Sequence, residues 1–378
     1  MKITMYSNYL NHHQLPLCQA FAKLTDNQFT FVATEPISKE RLELGYRDMK
    51  EPFVLSVSEG EEQKQLAEQL DLESDIVIVG AAPEEYVRNR VKQGKITFRH
   101  HERIYRNGRI FALHPGSIHM AITRHNTYRN DPLYLLCAGS YVAGDFAVLG
   151  SYIGKTYKWG YFPEFIKQDQ KQIFSLKQNS KIKLLWVARF IPLKHPELPV
   201  KIARQLKQEG YAFELNMIGT GELVPKITDM IHKYQLEDCV HLLGAMHPEE
   251  VRTHMDESNI FLFTSDQQEG WGAVMNEAMN SCCAVIANHA IGSVAYLVKQ
   301  RKNGLIYKNG SFSDLMDQIH RAIDDREYMD QLGWEAYRTL QTEWNAEEAA
   351  ERLIVVSEKL KAGLDTPYLE GPLSKEIV

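Results

Sequence analysis

The chain has 378 residues, of which 44% are hydrophobic and 24% are charged, and its formal net charge is −6. This composition excludes a disordered, collagen-like or fibrous chain, and the acidic balance argues against a general nucleic-acid-binding protein. At about 100–200 residues per domain, the length predicts two domains, each large enough to form its own core. The five cysteines include no Cys-x-x-Cys pair, which favours a reduced, cytoplasmic protein.

Short apolar runs alternate with helix-length amphipathic segments along the whole chain. In the first half, strand-like runs lie at 2–6, 29–33 and 75–80, and helical patterns lie at 61–70 and 83–93. The second half repeats the alternation, with strand candidates at 183–188, 213–218, 240–243, 260–264 and 283–287. Such alternation predicts an α/β protein with doubly wound parallel sheets.

Breaks in this alternation predict how the elements are divided into domains and connecting segments. The predicted parts are an N-terminal Rossmann-like domain (1–165), a polar linker (166–180), a C-terminal Rossmann-like domain (181–345), a last helix (346–362) and a tail (363–378). Asn345 is the expected N-cap of the last helix, because Glu348 follows at capping-box spacing. The tail lacks periodicity, so we expect it to be loose. The first residues lack a signal-peptide core, and Asp145 interrupts the apolar stretch 132–154, so we expect no membrane span.

The most specific motif is a pair of glutamates, Glu269 and Glu277, eight positions apart. Glu269 lies in a glycine-bearing turn after the apolar run Ile-Phe-Leu-Phe, and Glu277 lies on the helix that follows. Eight residues correspond to about two helical turns, which directs both carboxylates to roughly the same face. Gly270 and Gly272 allow backbone amides to approach an anion, and the carboxylates can accept hydrogen bonds from sugar hydroxyls. The spacing alone is equally consistent with two solvated surface glutamates.

Two cations five positions apart follow another apolar run. Arg189 and Lys194 come just past the predicted carboxyl end of the strand Leu-Leu-Trp-Val. In open α/β sheets, ligands bind at that edge. Two cations there can clamp a diphosphate and stabilise a leaving nucleoside diphosphate without a metal ion. The alternative is two surface cations on a loop.

These motifs together resemble those of the retaining glycosyltransferases of family 4, which carry a Glu-x7-Glu signature. The segment from Arg189 to Lys194 resembles the family's Gly-Arg-x4-Lys element, with Ala188 in place of the usual glycine. The resemblance covers residues 180–362 well and 1–165 only in outline. It implies the GT-B fold, in which two Rossmann-like domains face each other across a cleft.

The resemblance also implies roles for individual residues. Glu269 would bind hydroxyls of the donor sugar, and Glu277 would hold the ribose hydroxyls of the nucleotide. The residues implied near the phosphates, sugar and nucleotide are Gly219, Gly221, Glu222, Gly270, Trp271 and Gly272. The implied reaction is a front-face substitution with retention, helped by the leaving phosphate. Because no Asp-x-Asp motif occurs, we expect no cofactor and no metal ion, with Arg189 and Lys194 carrying the charge.

The N-terminal half departs from the family pattern at its first loop. Asn11, His12 and His13 stand where many family members carry a Gly-Gly turn over the donor phosphates. They either supply side-chain donors or form a turn that caps the following helix. Further on, His101 and Glu102 follow a strand at the depth where the family often places a His or an acid near the sugar's C6 hydroxyl or the acceptor, so they either take part in catalysis or cap the strand.

The partners are predicted from the same features and from one cluster of charge. Residues 88–109, here called the basic block, hold eight Lys or Arg residues and one acid, Glu102. The block predicts a contact with an anionic membrane surface or a pyrophosphate-linked acceptor, and a solvated helix face is the alternative. We therefore expect a cytoplasmic, retaining glycosyltransferase of the hexosyltransferase type that moves a sugar from a nucleoside-diphosphate sugar to a glycan or lipid-linked acceptor in bacterial surface-polysaccharide assembly, with peripheral attachment to the inner membrane face as one option. A GT-B nucleotide-sugar epimerase and a non-catalytic nucleotide-sugar-binding protein are the alternatives.

Overall fold

A computed structural model describes residues 1–26, 28–38, 49–178 and 180–377. Asn179 of the predicted linker and Val378 of the predicted tail therefore lie outside the described residues. The chain forms two compact units, the first made of Met1–Glu164 with Glu343–Val378 and the second of Phe165–Thr342. Each unit contains one sheet, and the prediction of an α/β fold with two parallel doubly wound sheets is confirmed.

The described part of the first unit begins with seven strands and five helices. The strands are β1 (Ile3–Ser7), β2 (Phe29–Ala33), β3 (Val54–Ser56), β4 (Ile76–Val79), β5 (Thr97–Glu102), β6 (Leu133–Ala138) and β7 (Thr156–Trp159). The helices are α1 (Leu15–Leu24), α2 (Glu61–Glu73), α3 (Glu85–Val91), α4 (Pro115–Met120) and α5 (Val142–Ala147). The strand order is β3-β2-β1-β4-β5-β6-β7. All residues of β1 and β4 are buried, as expected for central strands covered on both faces.

The described part of the second unit has six strands and eight helices. The strands are β8 (Ile182–Val187), β9 (Phe213–Ile218), β10 (Val240–Gly244), β11 (Ile260–Phe263), β12 (Ala284–Asn288) and β13 (Leu305–Tyr307). The helices are α6 (Gln170–Lys177), α7 (Glu197–Glu209), α8 (Val224–Tyr234), α9 (Pro248–Glu257), α10 (Val274–Asn280), α11 (Val294–Leu297), α12 (Phe312–Ile323) and α13 (Arg326–Thr342). The strand order is β10-β9-β8-β11-β12-β13. The loops after β8 and β11 therefore leave the sheet side by side at its carboxyl edge.

The last helix, α14 (Ala346–Lys361), belongs to the first unit. Asn345 is its N-cap, since the Asn345 side chain accepts a hydrogen bond from the backbone N–H of Glu348 at 2.9 Å. The Glu348 carboxylate accepts a hydrogen bond from Arg352 at 2.7 Å. Among the described residues, no helix has both the length and the apolar character that crossing a membrane requires.

The prediction that residues 166–180 form a polar linker is wrong in one respect, because this segment contains helix α6. Asp169 caps this helix, and Lys177 near its end is buried. The Lys177 ammonium donates hydrogen bonds to the carbonyl oxygens of Met255 at 3.0 Å and Ser258 at 2.5 Å. In the sequence this segment resembles a polar connection, because Met255 and Ser258, which bind the buried Lys177 ammonium, lie far away along the chain.

The expectation of a loose tail is also wrong. Leu373 and Ser374 are completely buried in the first unit. The backbone N–H of Leu373 donates to the carbonyl oxygen of Lys158 at 2.8 Å, and the N–H of Lys158 donates to Ser374 at 2.9 Å. The tail thus covers the edge of β7, the last strand of the sheet, where unpaired backbone groups would otherwise be exposed. It needs no apolar periodicity because it pairs through its backbone.

Arg90, the second cation of the basic block, does not belong to an exposed cationic surface. Its side chain is completely buried. Its guanidinium donates to the carbonyl oxygens of Asp71 at 2.7 Å, Ser74 at 2.8 Å, Asp75 at 3.0 Å and Ile96 at 3.0 Å. Arg90 therefore fastens α3 to the ends of α2 and to the start of β5.

Other arginines of the basic block are also used internally. Arg99 is buried and pairs with Glu84 at 2.7 Å. Arg103 and Arg109 lie 3.4 Å and 3.3 Å from the carboxylate of Asp145, which is completely buried. Two of the eight cations of the basic block are therefore buried, and four are exposed, namely Arg88, Lys92, Arg106 and Arg109, so a membrane contact through the block stays a prediction.

We expect the substitution Arg90→Leu to lower the free energy of unfolding of the first unit by about 3 kcal/mol, because three buried carbonyl oxygens and the partly buried one of Asp75 would lose their donor. Arg88→Leu is the matched control, since Arg88 is exposed on the same helix. Urea denaturation, together with hydrogen exchange of α3 and β5, measures both variants. Equal stability of the two variants would contradict the structural role assigned to Arg90.

Candidate functional site

The candidate site lies at the carboxyl edge of the second sheet, where the loops after β8 and β11 meet. β8 and β11 are parallel neighbours, with Ile260 opposite Leu184 and Phe261 opposite Leu185. Because parallel strands end at the same edge, two segments far apart in sequence emerge together. Ligands in such sheets bind in the crevice outside this edge.

The Lys194 ammonium donates a short hydrogen bond to the carboxylate of Glu269 and forms an ion pair with it. Each of the two side chains is only 14% exposed, although they lie 75 positions apart in sequence. The Lys194 carbonyl oxygen accepts a hydrogen bond from Thr264 at 2.7 Å, and Thr264 accepts one from the Trp186 indole at 2.8 Å. Lys194 and Glu269, both predicted as site residues, are thus in contact, and the buried Thr264 and Trp186 side chains fix the Lys194 backbone.

His195, the residue after Lys194, bridges the same two loops. Its backbone is left-handed, with φ of 50°, a conformation that is uncommon for residues other than glycine. Its Nδ1 lies 2.9 Å from the Glu197 carboxylate and its Nε2 lies 3.2 Å from the Asp266 carboxylate. The hydrogen bond with Glu197 and the nearby Asp266 raise the pKa of His195 above its ordinary value. Both ring nitrogens donate at once only in the protonated form, so the bridge favours a cationic His195.

Arg189 lies in the same loop and is exposed. Within the described part of the chain, its guanidinium has no hydrogen bond or ion pair with protein groups. Arg189 is therefore available to an anionic ligand beside the Lys194–Glu269 pair. Glu222, another predicted binding residue, is also exposed.

The glycines of the Gly-x-Gly loop have a packing role. Gly219 and Gly221 have φ of 133° and 155°. A Cβ at Gly219 would lie 2.0 Å from the carbonyl oxygen of Ala188, and one at Gly221 would lie 2.6 Å from that of Phe190. Both positions thus require glycine so that this loop can pack against the backbone that carries Arg189.

The turn between the two glutamates also depends on close packing. Gly272 has φ of 75°, and a Cβ there would lie 2.3 Å from the ring of Phe263. Gly270 is buried. Trp271, expected near the phosphates and sugar, instead places its indole in the core, where it is 1% exposed and donates to Asn276 at 2.9 Å. Its large apolar ring is more stable when buried than as a wall of a polar ligand site.

Glu277 is a carboxylate in a partly desolvated position on α10. Burial raises its pKa, and the nearby Arg252 partly opposes the shift. Arg252 donates to the Glu277 backbone oxygen at 3.2 Å and to the Asn280 side chain at 3.1 Å. Among the described residues, no hydrogen bond reaches the Glu277 carboxylate itself. Its acceptor oxygens are thus suited to hydroxyl donors from a ligand.

His101 and Glu102 lie at the carboxyl end of β5 in the first unit. Burial lowers the pKa of His101 to about 4, so the ring is neutral near pH 7. Glu102 accepts hydrogen bonds from the Tyr161 hydroxyl at 2.7 Å and from Arg106 at 2.5 Å. These contacts favour the strand-capping alternative for Glu102, since both of its oxygens are engaged by protein groups.

The loop before α1 contains Asn11, His12 and His13. The Asn11 side-chain oxygen accepts from the backbone N–H groups of His13 at 3.0 Å and Gln14 at 3.2 Å, so Asn11 closes the turn. The rings of His12 and His13 lie 3.8 Å apart. Burial lowers the pKa of both, that of His13 to about 3, and the buried Nδ1 of His13 has no hydrogen-bond partner among the described residues. These two rings are therefore neutral, and neither provides a cation for a phosphate.

Sequence reasoning missed three residues that organise the site: Thr264, Asp266 and His195. His195 directly follows Lys194, and Asp266 comes shortly after β11. That position just past a strand end is the signal that could have identified Asp266. The contact between them could not be inferred, because it requires β8 and β11, which are not consecutive strands, to be neighbours.

Residues 167–339 match the family model described as Glycosyl transferases group 1. The chain is 28% identical over 184 residues to the amylovoran biosynthesis glycosyltransferase AmsK of Erwinia amylovora, covering 47% of this chain and 45% of that protein. It is 30% identical over 128 residues to the putative colanic acid biosynthesis glycosyltransferase WcaL of Escherichia coli, covering 32% and 31%. The chain thus spans less than half the length of these relatives.

Among solved structures, the chain is similar to HepE of Anabaena in complex with UDP, with a TM-score of 0.70 and 16% identity over 96% of this chain and 100% of that one. At this identity the likeness concerns the fold. Residues 167–339 thus resemble a group 1 glycosyltransferase domain, within a chain that has the GT-B fold.

Proposed function

We propose that the chain is a retaining glycosyltransferase that moves a sugar from a nucleoside-diphosphate sugar to a glycan or lipid-linked acceptor. The observation that carries this proposal is the contact of Lys194 with Glu269 at the carboxyl edge of the second sheet, beside the exposed Arg189. AmsK is named for amylovoran biosynthesis and WcaL for colanic acid biosynthesis. Similarity to both supports a role in bacterial surface-polysaccharide assembly.

Lys194 and Arg189 together suit a diphosphate. A lysine ammonium has three donors, so Lys194 can hold Glu269 and a phosphate oxygen at the same time. Arg189 offers a planar fork of donors that matches phosphate geometry. Glu269, oriented by Lys194, accepts hydrogen bonds from hydroxyls of the donor sugar. In the proposed complex, the sugar would lie next to the phosphates that leave with the nucleotide.

Glu277 suits the ribose of the nucleotide. Its carboxylate has lost part of its hydration, and its raised pKa reports the cost of that loss. Two ribose hydroxyls that donate to it would replace the missing water. The gain is largest where the acceptor is already shielded from solvent.

The proposed chemistry breaks the bond between the anomeric carbon and the β-phosphate oxygen and forms a bond to the acceptor oxygen on the same face. The acceptor hydroxyl gives its proton to the leaving phosphate. Negative charge grows on that phosphate in the transition state, and Arg189 and Lys194 stabilise it electrostatically. Independence from metal ions remains a prediction.

The His195 bridge is proposed to position Lys194. It joins the loop after β8 to the loop after β11 through Asp266. A small displacement of Lys194 would weaken both its contact with Glu269 and its contact with phosphate, and misplacement by about 1 Å costs up to about 100-fold in rate.

The substitution Lys194→Ala is expected to lower kcat for transfer by about 100-fold or more, because the growing phosphate charge loses a donor. Glu269→Gln is expected to reduce transfer as well, since the neutral amide binds sugar hydroxyls and Lys194 less strongly. Radiolabelled UDP-, GDP- and ADP-sugars, followed for transfer, epimerisation and binding, provide the measurement. Lys201→Ala is the control, as Lys201 is exposed on α7. Unchanged transfer in both variants would exclude the proposed site.

For Glu277→Gln we expect UDP to bind about 10-fold more weakly, since hydrogen bonds to a charged acceptor contribute about 1.5–3 kcal/mol. Isothermal titration with UDP gives the affinity, and thermal shift gives the folded fraction. Glu249→Gln, at an exposed position on α9, should bind UDP as the wild type does. Equal affinities for the two variants would remove the ribose role of Glu277.

His195→Gln is expected to destabilise the second unit in a pH-dependent way. The folded-state pKa of His195 is raised above its ordinary 6.5, so its stabilising contribution is complete below that value and disappears as the pH rises through the raised pKa. The difference in urea midpoint between wild type and variant should be largest near about pH 5.5 and small near about pH 8.5. His119→Gln, exposed in the first unit, serves as control. A difference that grows with pH would refute the bridge.

A further inference from the structure

The segment between β5 and β6 has an unusual charge pattern. Residues 103–129, here called the strap, contain no aspartate or glutamate. The same residues contain five arginines and three histidines, namely Arg103, Arg106, Arg109, Arg124, Arg129, His114, His119 and His125. Of the arginines, Arg106, Arg109, Arg124 and Arg129 are exposed, and the first two also pair with carboxylates outside the strap, Arg106 with Glu102 and Arg109 with Asp145. A surface with this composition attracts anions and repels cations over about one Debye length, about 8–10 Å at physiological salt.

The strap also exposes large apolar side chains. Ile110 is 74% exposed, Phe111 53%, Leu113 67%, Ile118 38% and Ile122 57%. Ile110, Phe111 and Leu113 share the short 3-10 turn Arg109–Leu113. Ile118 and Ile122 are four positions apart in a helical stretch and therefore lie on one face. Clusters of exposed apolar side chains on a folded protein indicate an interaction surface.

These side chains do not come from a badly packed loop. Ala112 and Ala121 of the strap are buried beneath them. The Ser117 hydroxyl donates to the Phe111 carbonyl oxygen at 2.9 Å, and the His114 side chain caps the start of α4. The inner side of the strap is therefore fixed to the first unit, and its apolar side chains point to solvent from a held backbone.

A buried carboxylate anchors the beginning of the strap. Asp145 of α5 accepts a hydrogen bond from the backbone N–H of Tyr105 at 3.1 Å. It also pairs with Arg103 and Arg109, as described above. The Arg109 side chain is nevertheless 48% exposed. Arg109 is therefore held by Asp145 and still reaches solvent next to the exposed Ile110 and Phe111.

We propose that the strap is a docking surface for an anionic lipid bilayer. The apolar side chains would enter the headgroup region, and the exposed arginines around them would contact lipid phosphates. A second copy of the chain fits less well, because a symmetric contact through the strap would bring like charges together with no acid in the segment to compensate. The inference does not depend on the proposed reaction, since binding to vesicles requires no transfer.

The strap shares residues 103–109 with the basic block and extends the proposed membrane-facing region to residue 129. In the basic block, charge was concentrated in sequence but much of it is buried or paired. In the strap, fewer cations occur per residue, but they are combined with exposed apolar side chains on one held segment. Electrostatic attraction and apolar insertion act together on a membrane surface, and either one alone is weak.

The test is sedimentation of the full chain with sucrose-loaded vesicles, made of phosphatidylcholine alone or of equal parts phosphatidylcholine and phosphatidylglycerol. We expect binding to the anionic vesicles that decreases with added salt, and much weaker binding to phosphatidylcholine alone. The triple variant Ile110→Ser/Phe111→Ser/Leu113→Ser should lower the partition coefficient for anionic vesicles about tenfold or more. Arg124→Glu should lower it as well.

The matched control is Leu369→Ser/Ile377→Ser, because these residues are 93% and 86% exposed in the same unit but outside the strap. Circular dichroism and thermal unfolding check the fold of each variant, and Ile118→Ser/Ile122→Ser provides a second, independent set of exposed positions.

Three results would overturn the proposal: no binding to anionic vesicles, equal binding by the triple variant and the wild type, or equal binding to both lipid compositions. Sedimentation velocity that shows a wild-type dimer and a monomeric triple variant, without vesicle binding, would assign the strap to self-association instead.

Discussion

The parallel pairing of β8 with β11 is the constraint on which the candidate site depends. These strands are separated in sequence by two other strands and three helices, yet they are neighbours in the sheet. Because both run in the same direction, the loops that follow them leave at one edge. Lys194 thereby reaches Glu269, and His195 reaches Asp266. A reversed or distant β11 would leave each of these charged groups without its partner.

Charge in the first unit is used mainly to hold elements together. Arg90 satisfies four backbone carbonyl oxygens, and Asp145 collects two arginines and a backbone N–H in a completely buried position. Burying a charge is costly unless it is paired and hydrogen-bonded, so such groups are enclosed by partners. A count of charges along the chain therefore overestimates the charge that the surface presents. The exposed cations of the strap are a smaller set, placed beside apolar side chains.

The histidines illustrate how surroundings decide chemistry. Burial lowers the pKa of His13 to about 3 and that of His101 to about 4, so both are neutral near pH 7. His195 lies between two carboxylates, and its pKa is raised. Adjacent carboxylates outweigh partial burial there, whereas burial dominates at the other two positions, even though Glu102 lies next to His101. Residue type alone thus leaves the protonation state open.

The sequence by itself determined the α/β class, the two parallel sheets, the N-cap at Asn345 and the choice of Arg189, Lys194, Glu269 and Glu277 as candidate site residues, because these features depend on local periodicity and short motifs. Only the tertiary structure decided that Trp271 is a core residue, that Gly219 and Gly221 are required by backbone packing, that the tail covers the edge of β7 and that Arg90 and Arg99 of the basic block are buried. Each of these depends on groups brought together from distant parts of the chain. Strand order and burial determine such contacts, and neither can be read from the spacing of residues along one segment.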